Sequence, residues 1–166
     1  MAALALALAA APAWADSFPV TVAIELDAPF APGDFAWDDS DAPAGGALRI
    51  VADLDREELH VYRGGVEIGR SSITYGGEGK PTPTGEFTIL QKDADHVSST
   101  YAGAPMPWML RLTWQGVAIH GAEIDPEWGT HGCIGVPDEF ARLLYRTARL
   151  GDRVLVTRGW RRDVYD

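Results

Sequence analysis

The residues best suited to chemistry in this sequence are one cysteine and two nearby histidines. Cys133 is the only cysteine in the 166-residue chain and lies in the stretch GTHGCIGVPDE, residues 129–139. His131 lies two residues before it, and His120 ends the apolar stretch VAIHG. A free thiol is mostly un-ionised at neutral pH, and a nearby imidazole raises the thiolate fraction. The pattern predicts a cysteine nucleophile that forms an ion pair with a histidine base.

His120 is the better candidate for the base, because His131 is too close in sequence to fold back easily onto Cys133. Glycines flank the cysteine at Gly132 and Gly135 and allow the backbone to approach a substrate closely. Amides near Cys133 could then form an oxyanion hole.

Two alternatives remain open at this point. The cysteine could be a buried structural residue, although only Ile134 is apolar in its immediate neighbourhood. It could also belong to a zinc site, but the spacing fits none of the common Cys/His zinc patterns. The candidate ligands of such a site would be His96, His120, His131 and Cys133.

The first fifteen residues have the features of a secretory signal. MAALALALAAAPAWA is an apolar run that ends in the small-x-small sequence Ala13-Trp14-Ala15, which predicts cleavage after Ala15. No Lys or Arg precedes the run, and a buried helix or a membrane anchor is the alternative interpretation. The run is shorter than the ~20 residues of a membrane span. We therefore expect an exported protein without a membrane span. Cysteines in an oxidising compartment usually form disulfide bonds, so a lone cysteine there requires an explanation.

The charge of the chain excludes several kinds of partner. The formal net charge is −10, and five aspartates without a basic residue among them lie between residues 27 and 46. Nucleic acids and anionic membrane surfaces are therefore not expected partners. We interpret 27–46 as a solvated acidic loop and expect the protein to be a monomer.

The elements that must position the histidines and the cysteine are predicted to be mostly strands. Period-two patterns predict strands over 19–26, 47–55, 86–92 and 152–159. Turn residues predict two hairpins, one over 58–76 that turns at Arg63-Gly64-Gly65 and one over 109–121 that turns at Gln115-Gly116. Residues 79–85 and 93–108 are predicted to be loops, the second lining the site.

One helix is predicted over about residues 137–150. Pro137 would occupy its first position and Gly151 would follow its end. An apolar stripe would pack on a sheet through Phe140, Leu143, Leu144 and Ala148. The fold class is therefore mainly β, a sandwich or barrel-like domain with one main α-helix.

The motifs around the cysteine resemble those of a known enzyme family. VAIHG followed by THGCIGVP looks like the signature of the L,D-transpeptidase (YkuD-type) catalytic domain, and KPTPTGEFTIL is similar to its proline-threonine-glycine loop and strand. The resemblance covers roughly residues 47–159. It leaves 1–15 as signal peptide, 16–46 as an N-terminal strand with the acidic Pro/Gly-rich loop, and 160–166 as a C-terminal tail.

The resemblance implies a role for each matching residue. Cys133 would be the nucleophile and His120 the general base, and the Gly121 carbonyl would orient the imidazole. His131 and Gly132 would supply site geometry and oxyanion amides. Thr130 fits the Ser/Thr position of the motif and, with Tyr101 and Gly135, is a candidate substrate-binding residue.

Gly135 departs from the family pattern. The family usually has Arg or Asn at this position, so a polar side chain near the nucleophile is missing. The departure puts substrate binding at this position in question. Arg111 is a basic residue that could reach the cleft and supply the missing polar contact.

The function implied by the resemblance is peptidoglycan cross-linking in the periplasm. Cys133 would form an acyl-enzyme with a stem tetrapeptide and transfer the acyl group to an amine, without a cofactor or a metal. Alternatives are an L,D-carboxypeptidase or cross-link hydrolase that uses the same site, and a non-catalytic peptidoglycan-binding module.

Overall fold

Ten strands and one helix make up the regular structure of the described residues, which are 20–101, 103–127 and 129–160 of the computed structural model. The predicted signal peptide and residues 161–166 lie outside these ranges. In chain order the elements are β1 (Phe35–Trp37), β2 (Leu48–Asp53), β3 (Glu58–Arg63), β4 (Val66–Ser72), β5 (Gly85–Thr88), β6 (Gln91–Val97), β7 (Pro105–Arg111), β8 (Ala118–Gly121), β9 (Ile134–Val136), α1 (Asp138–Thr147) and β10 (Arg153–Thr157).

The strands form two sheets, which confirms the mainly β fold class. The first sheet has the order β1-β4-β3-β2-β10-β5, and the second has the order β6-β7-β8-β9. In the first sheet, β3 and β4 form the predicted hairpin. Its two turn residues, Gly64 and Gly65, have φ values of 60° and 86°. Such a turn favours glycine because both central residues need positive φ.

The second sheet places the two motifs of the site side by side. β8 and β9 are parallel neighbours, and their register puts His120 opposite Gly135 and Gly121 opposite Val136. The predicted hairpin between β7 and β8 is confirmed over its final part, where Leu110 pairs with Ile119. Strand pairing thereby brings residues 118–121 next to the segment that follows Cys133.

The predicted loop over 93–108 is wrong, because most of it forms the hairpin of β6 and β7. Polar residues dominate β6, an edge strand that is half-exposed, so the apolar alternation is missing. Pro105 and Pro107 also argued against a strand. They are tolerated because β8 pairs with β7 only at Leu110 and Arg111, which leaves the proline positions without a partner on that side.

Two other predicted strands differ from the structure. The stretch 86–92 is divided at the buried Ile89, with β5 in the first sheet and β6 in the second. The strand predicted over 19–26 does not form over its described residues, where Val22 makes a single bridge to Val66. Within the acidic loop, β1 instead pairs with β4, so part of 27–46 is ordered as a strand.

The helix packs against the second sheet as predicted, but it is shorter. Pro137 is the N-cap rather than the first helical residue, and the helix ends at Thr147. Phe140, Leu144 and Ala148 are buried, whereas Leu143 is half-buried. The Phe140 ring meets those of Phe35 and Trp37 edge-on at 5.8 and 5.6 Å between centroids. The main apolar core thus joins both sheets and the helix.

The one helix of the described residues, α1, is not long and apolar enough to cross a membrane.

Candidate active site

Cys133 lies immediately before β9, at the edge of a small apolar cluster. The cysteine is half-buried and packs against the cluster of Met106, Met109 and Ala118. Its Sγ donates to the carbonyl oxygen of Gly116 at 3.5 Å. The turn between β7 and β8 therefore covers one side of the thiol and leaves the other side facing a cleft.

His120 lies in β8 and opens onto the same cleft as Cys133. The residue is 9 % exposed, and its Nδ1 lies 2.8 Å from the carbonyl oxygen of Gly121. A carbonyl oxygen only accepts hydrogen bonds, so Nδ1 must carry the proton in the neutral ring. The lone pair of the neutral imidazole is then on Nε2, where it is available to take up a proton.

The protonation states of the two side chains favour a neutral pair rather than the predicted ion pair. Burial raises the pKa of the Cys133 thiol above its ordinary value, and the Ala118 amide and the Arg111 charge oppose this only in part. Burial likewise lowers the pKa of His120, opposed by the hydrogen bond to Gly121 and the charge of Asp138. A neutral imidazole can act as a general base, whereas an imidazolium cannot.

Gly121 is packed closely against the start of α1. A Cβ at this position would collide with the Asp138 carboxylate in the first turn of α1 and would lie 3.1 Å from Pro107 Cγ. The close approach brings the helix N-terminus and the Asp138 charge near His120. A side chain here would require the Asp138 carboxylate to move, while the Gly121 carbonyl fixes the tautomer of His120.

Thr130 braces the turn that leads into Cys133. Its Oγ1 donates to the carbonyl oxygen of Cys133 and accepts the N–H of Gly132 at 3.2 Å. Gly132 has a φ of +109°, which L side chains rarely adopt. Because the Gly132 amide is engaged by Thr130, the amides of His131 and Cys133 are the better candidates for an oxyanion hole.

The His131 ring stacks on the ring of Tyr101. The two ring centroids are 4.4 Å apart and the rings are inclined by 20°. Both side chains line the cleft beside Cys133. Of the three candidate substrate-binding residues, Tyr101 and Thr130 line the cleft.

Gly135 is buried in β9 and does not belong to the cleft lining. Its N–H and carbonyl both pair with Thr74 at 2.9 Å. A Cβ would lie 2.7 Å from Thr74 Cγ2 and 2.8 Å from Ala122 Cβ, although its φ lies outside the left-handed region. Crowding rather than backbone strain opposes a side chain here, and a residue at 135 cannot reach a substrate without displacing its neighbours.

The cleft has a volume of about 330 Å³, and both polar and apolar side chains line it. Arg111, Lys80 and His96 line it together with the cysteine and His120. Lys80 was missed in the sequence, although it precedes the PTPTG motif on which the resemblance rests. Lys80 and Cys133 are far apart in the sequence, and only the fold brings both to the same cleft.

The zinc alternative has no support in the arrangement of the side chains. Within residues 20–101, 103–127 and 129–160, no group of three or more His, Cys, Asp or Glu side chains could hold a metal ion. His96 instead contacts the Asp93 carboxylate at 3.1 Å through Nδ1.

The chain resembles a family of known proteins. Residues 47–156 match the YkuD family model, the L,D-transpeptidase catalytic domain. The chain belongs to this family. The match covers β2 to β10 except for the last residue of β10, and therefore includes the first sheet without β1, all of the second sheet, the helix and the cleft.

Relatives with named functions lie in the same family. The chain is 26 % identical over 132 residues to L,D-transpeptidase 1 of Mycobacterium tuberculosis, covering 68 % of this chain and 51 % of that protein. It is 26 % identical over 151 residues to the probable L,D-transpeptidase 3 of the same organism, covering 70 % and 56 %. The chain thus spans about half the length of these curated relatives.

Solved structures show the same fold. An L,D-transpeptidase from Stackebrandtia nassauensis superposes with a TM-score of 0.63 at 25 % identity, over 73 % of this chain and 61 % of that one. The L,D-transpeptidase LdtMt1 in complex with imipenem gives a TM-score of 0.61 at 25 % identity, over 66 % and 58 %.

Proposed function

We propose that this protein is a cysteine-dependent L,D-transpeptidase that acts on peptidoglycan stem tetrapeptides. The observation that carries the proposal is a buried His120 whose Nδ1 lies 2.8 Å from the Gly121 carbonyl oxygen, in the same cleft as the half-buried Cys133 thiol. Membership of the L,D-transpeptidase family supports the same reaction class.

The first half-reaction forms an acyl-enzyme. His120 Nε2 takes the thiol proton while Cys133 Sγ attacks the carbonyl carbon at the L-centre of meso-diaminopimelate. The oxyanion of the tetrahedral intermediate is stabilised by the amides of His131 and Cys133. When the C–N bond breaks, the imidazolium gives its proton to the leaving amine. D-Alanine departs and a thioester remains.

The second half-reaction transfers the acyl group to an amine of another stem. His120 removes a proton from the amine as its nitrogen attacks the thioester carbonyl. A new amide bond forms, the C–S bond breaks, and the thiolate recovers the proton from His120. Both half-reactions use only the Cys133 thiol, the His120 imidazole and backbone amides, and need no cofactor.

The place of action that we propose is the cell envelope. The substrate class is found there, and the apolar residues 1–15 have the pattern of an export signal. A lone cysteine fits this compartment because a nucleophile must not have an internal partner for a disulfide bond.

The nucleophile is tested with imipenem, since LdtMt1 forms a complex with this compound. We expect the intact mass to rise by one acylating molecule and Cys133→Ala to show no adduct. An equal adduct on the alanine variant would show that another residue reacts.

The reaction itself is tested by incubating the purified protein with a disaccharide tetrapeptide and analysing the products by mass spectrometry. A cross-linked dimer with release of D-alanine supports the transpeptidase. Release of D-alanine with a free tripeptide as the only other product identifies a carboxypeptidase that uses water as acceptor. No product, together with no imipenem adduct, overturns both and leaves a binding module.

A further inference from the structure

Arg111 lies beside the nucleophile on the same face of the second sheet. It is the last residue of β7, and its cross-strand partner in β8 is Ala118. Ala118 packs in the same small cluster as Cys133, and its amide contacts the Cys133 thiol. The Arg111 side chain lines the cleft with Cys133 and His120. Strand register therefore places the Arg111 side chain in the cleft that holds the Cys133 thiol.

The guanidinium is oriented by a neutral partner. Its Nε–H donates to the side-chain oxygen of Gln91 at 2.8 Å, which holds the plane of the group without cancelling its charge. Among the ion pairs of the described residues, none includes Arg111. The remaining N–H groups of Arg111 are thus available to a ligand.

The charge around Arg111 is unusual for this chain. The sequence contains 24 acidic and 14 basic residues. No Asp or Glu is found among the described residues that line the cleft, whereas Lys80 and Arg111 both line it. A planar arginine fork without a carboxylate partner is well suited to bind an external carboxylate through two parallel hydrogen bonds.

The proposed donor carries a carboxylate at a fitting position. The leaving D-alanine places its carboxylate one residue beyond the scissile bond, separated from the scissile carbonyl carbon by only the amide nitrogen and one α-carbon. When that carbonyl carbon meets Cys133 Sγ, the carboxylate lies within a few ångströms of it, and Arg111 lines the same cleft.

We propose that Arg111 binds the terminal carboxylate of the donor peptide and so selects donors that end at the residue released by the reaction. This inference rests on the proposed function. It also supplies from β7 a cationic contact that the buried Gly135 cannot provide from β9.

The test compares two donors on the whole protein: a tetrapeptide with a free terminal carboxylate and the same peptide as a terminal amide. The measured quantity is kcat/KM for release of D-alanine or its amide. We expect the wild type to prefer the acid by roughly 10- to 100-fold, the range of hydrogen bonds to a charged group. Arg111→Gln should bring the ratio close to one, and Arg111→Lys should retain part of the preference because the charge remains.

The acid-to-amide ratio separates recognition from reactivity. Loss of the Arg111 charge also changes the thiol, but this change affects both donors equally and cancels in the ratio. Lys80→Met is the matched control, because it removes the other cation of the cleft and should leave the ratio unchanged. A ratio that collapses in Lys80→Met and persists in Arg111→Gln would assign the carboxylate to Lys80 and overturn the proposal.

Failure of this inference differs from failure of the proposed function. A wild-type protein that releases both products with a ratio near one is a transpeptidase or carboxypeptidase without carboxylate selection by Arg111. That result needs no variant, so a misfolded Arg111→Gln would not prevent the decision. If the protein reacts with imipenem but with neither peptide, the proposed class of donor is wrong. The proposal for Arg111 is then overturned with it.

Discussion

Two buried histidines in this protein have opposite environments. His120 in the second sheet directs Nδ1 to a neutral carbonyl oxygen at 2.8 Å. His60 in the first sheet directs Nδ1 to the Glu67 carboxylate at 2.7 Å, and Glu67 also accepts from Arg70 at 2.9 and 2.6 Å. The Glu67 side chain is completely buried. One histidine thus has no carboxylate as its hydrogen-bond partner, and the other is part of a buried ionic cluster.

The partner of each imidazole explains the difference in role. The carbonyl of Gly121 fixes the tautomer of His120 and leaves burial to lower its pKa, so the ring remains an uncharged base. In the other cluster, burial raises the pKa of Glu67, but hydrogen bonds from His60 and Arg70 outweigh it and lower the pKa to about 2. The Glu67 carboxylate also accepts the N–H of Ile24 at 2.9 Å. The ionic cluster therefore fixes the N-terminal segment to the sheet through Ile24.

The largest effect is expected for His120→Ala. General-base assistance contributes about 10²–10⁴-fold to a rate, so acylation of Cys133 should slow by this factor while the melting temperature stays near that of the wild type. Acylation kinetics with imipenem and thermal unfolding measure the two quantities. His131→Ala is the control, because its ring stacks on Tyr101. Loss of acylation in His131→Ala but not in His120→Ala would reverse the roles.

Glu67→Gln should have the opposite pattern, with a loss of stability and little change in the acylation rate of the folded protein. Removing the carboxylate leaves Arg70 without its buried counter-charge and His60 Nδ1 without its carboxylate partner, which costs about 3 kcal/mol or more. Denaturant unfolding measures this free energy. The matched control is Glu58→Gln, since Glu58 is 3.5 Å from His60 and 22 % exposed. A partly exposed pair of this kind contributes at most about 1 kcal/mol.

The stability contributed by Glu67 also has a defined pH window. Its pKa falls from 4.5 to about 2 on folding, so the contribution is fully present above pH 4.5 and is lost as the pH falls towards 2. The free energies of unfolding of wild type and Glu67→Gln should converge in that range. Curves that stay parallel would show that the carboxylate is not the source of the difference.

The smallest effect concerns the pH dependence of acylation. Because burial lowers the pKa of His120, the acid limb of the rate should have its midpoint below 6.5, the ordinary value for histidine. The rate falls on the acid side because a protonated imidazole cannot accept the thiol proton. Stopped-flow acylation between mildly acidic and neutral pH measures this midpoint. A midpoint above 6.5 would indicate a charged partner for His120 and remove the contrast with His60.

Local sequence was informative wherever a short motif determines its own geometry. The hairpin turn at Gly64-Gly65 follows from two residues that adopt positive φ, and both do. The helix after Pro137 follows from its apolar stripe, of which Phe140 and Leu144 are buried. The family resemblance rested on the motifs around His120 and Cys133, and the family was confirmed over residues 47–156. The roles of the individual site residues remain predictions.

Sequence patterns failed where the neighbours of a segment decide its conformation. β6 lacks an apolar alternation because it is an edge strand with half-exposed polar residues. The stretch around Ile89 has the pattern of a single strand but contributes β5 to the first sheet and β6 to the second. The segment 20–26 has a strand pattern and yet makes one bridge, at Val22.

The sequence by itself determined which residue types are present: a single thiol, two histidines near it and a glycine where the family has a polar residue. Only the tertiary structure decided what surrounds them. Burial and the Gly121 carbonyl act on His120, Thr74 and Ala122 exclude a side chain at Gly135, and strand register places Arg111 by the thiol. The physical reason is that pKa, crowding and unpaired charge depend on groups distant in sequence, and only packing brings those groups within a few ångströms.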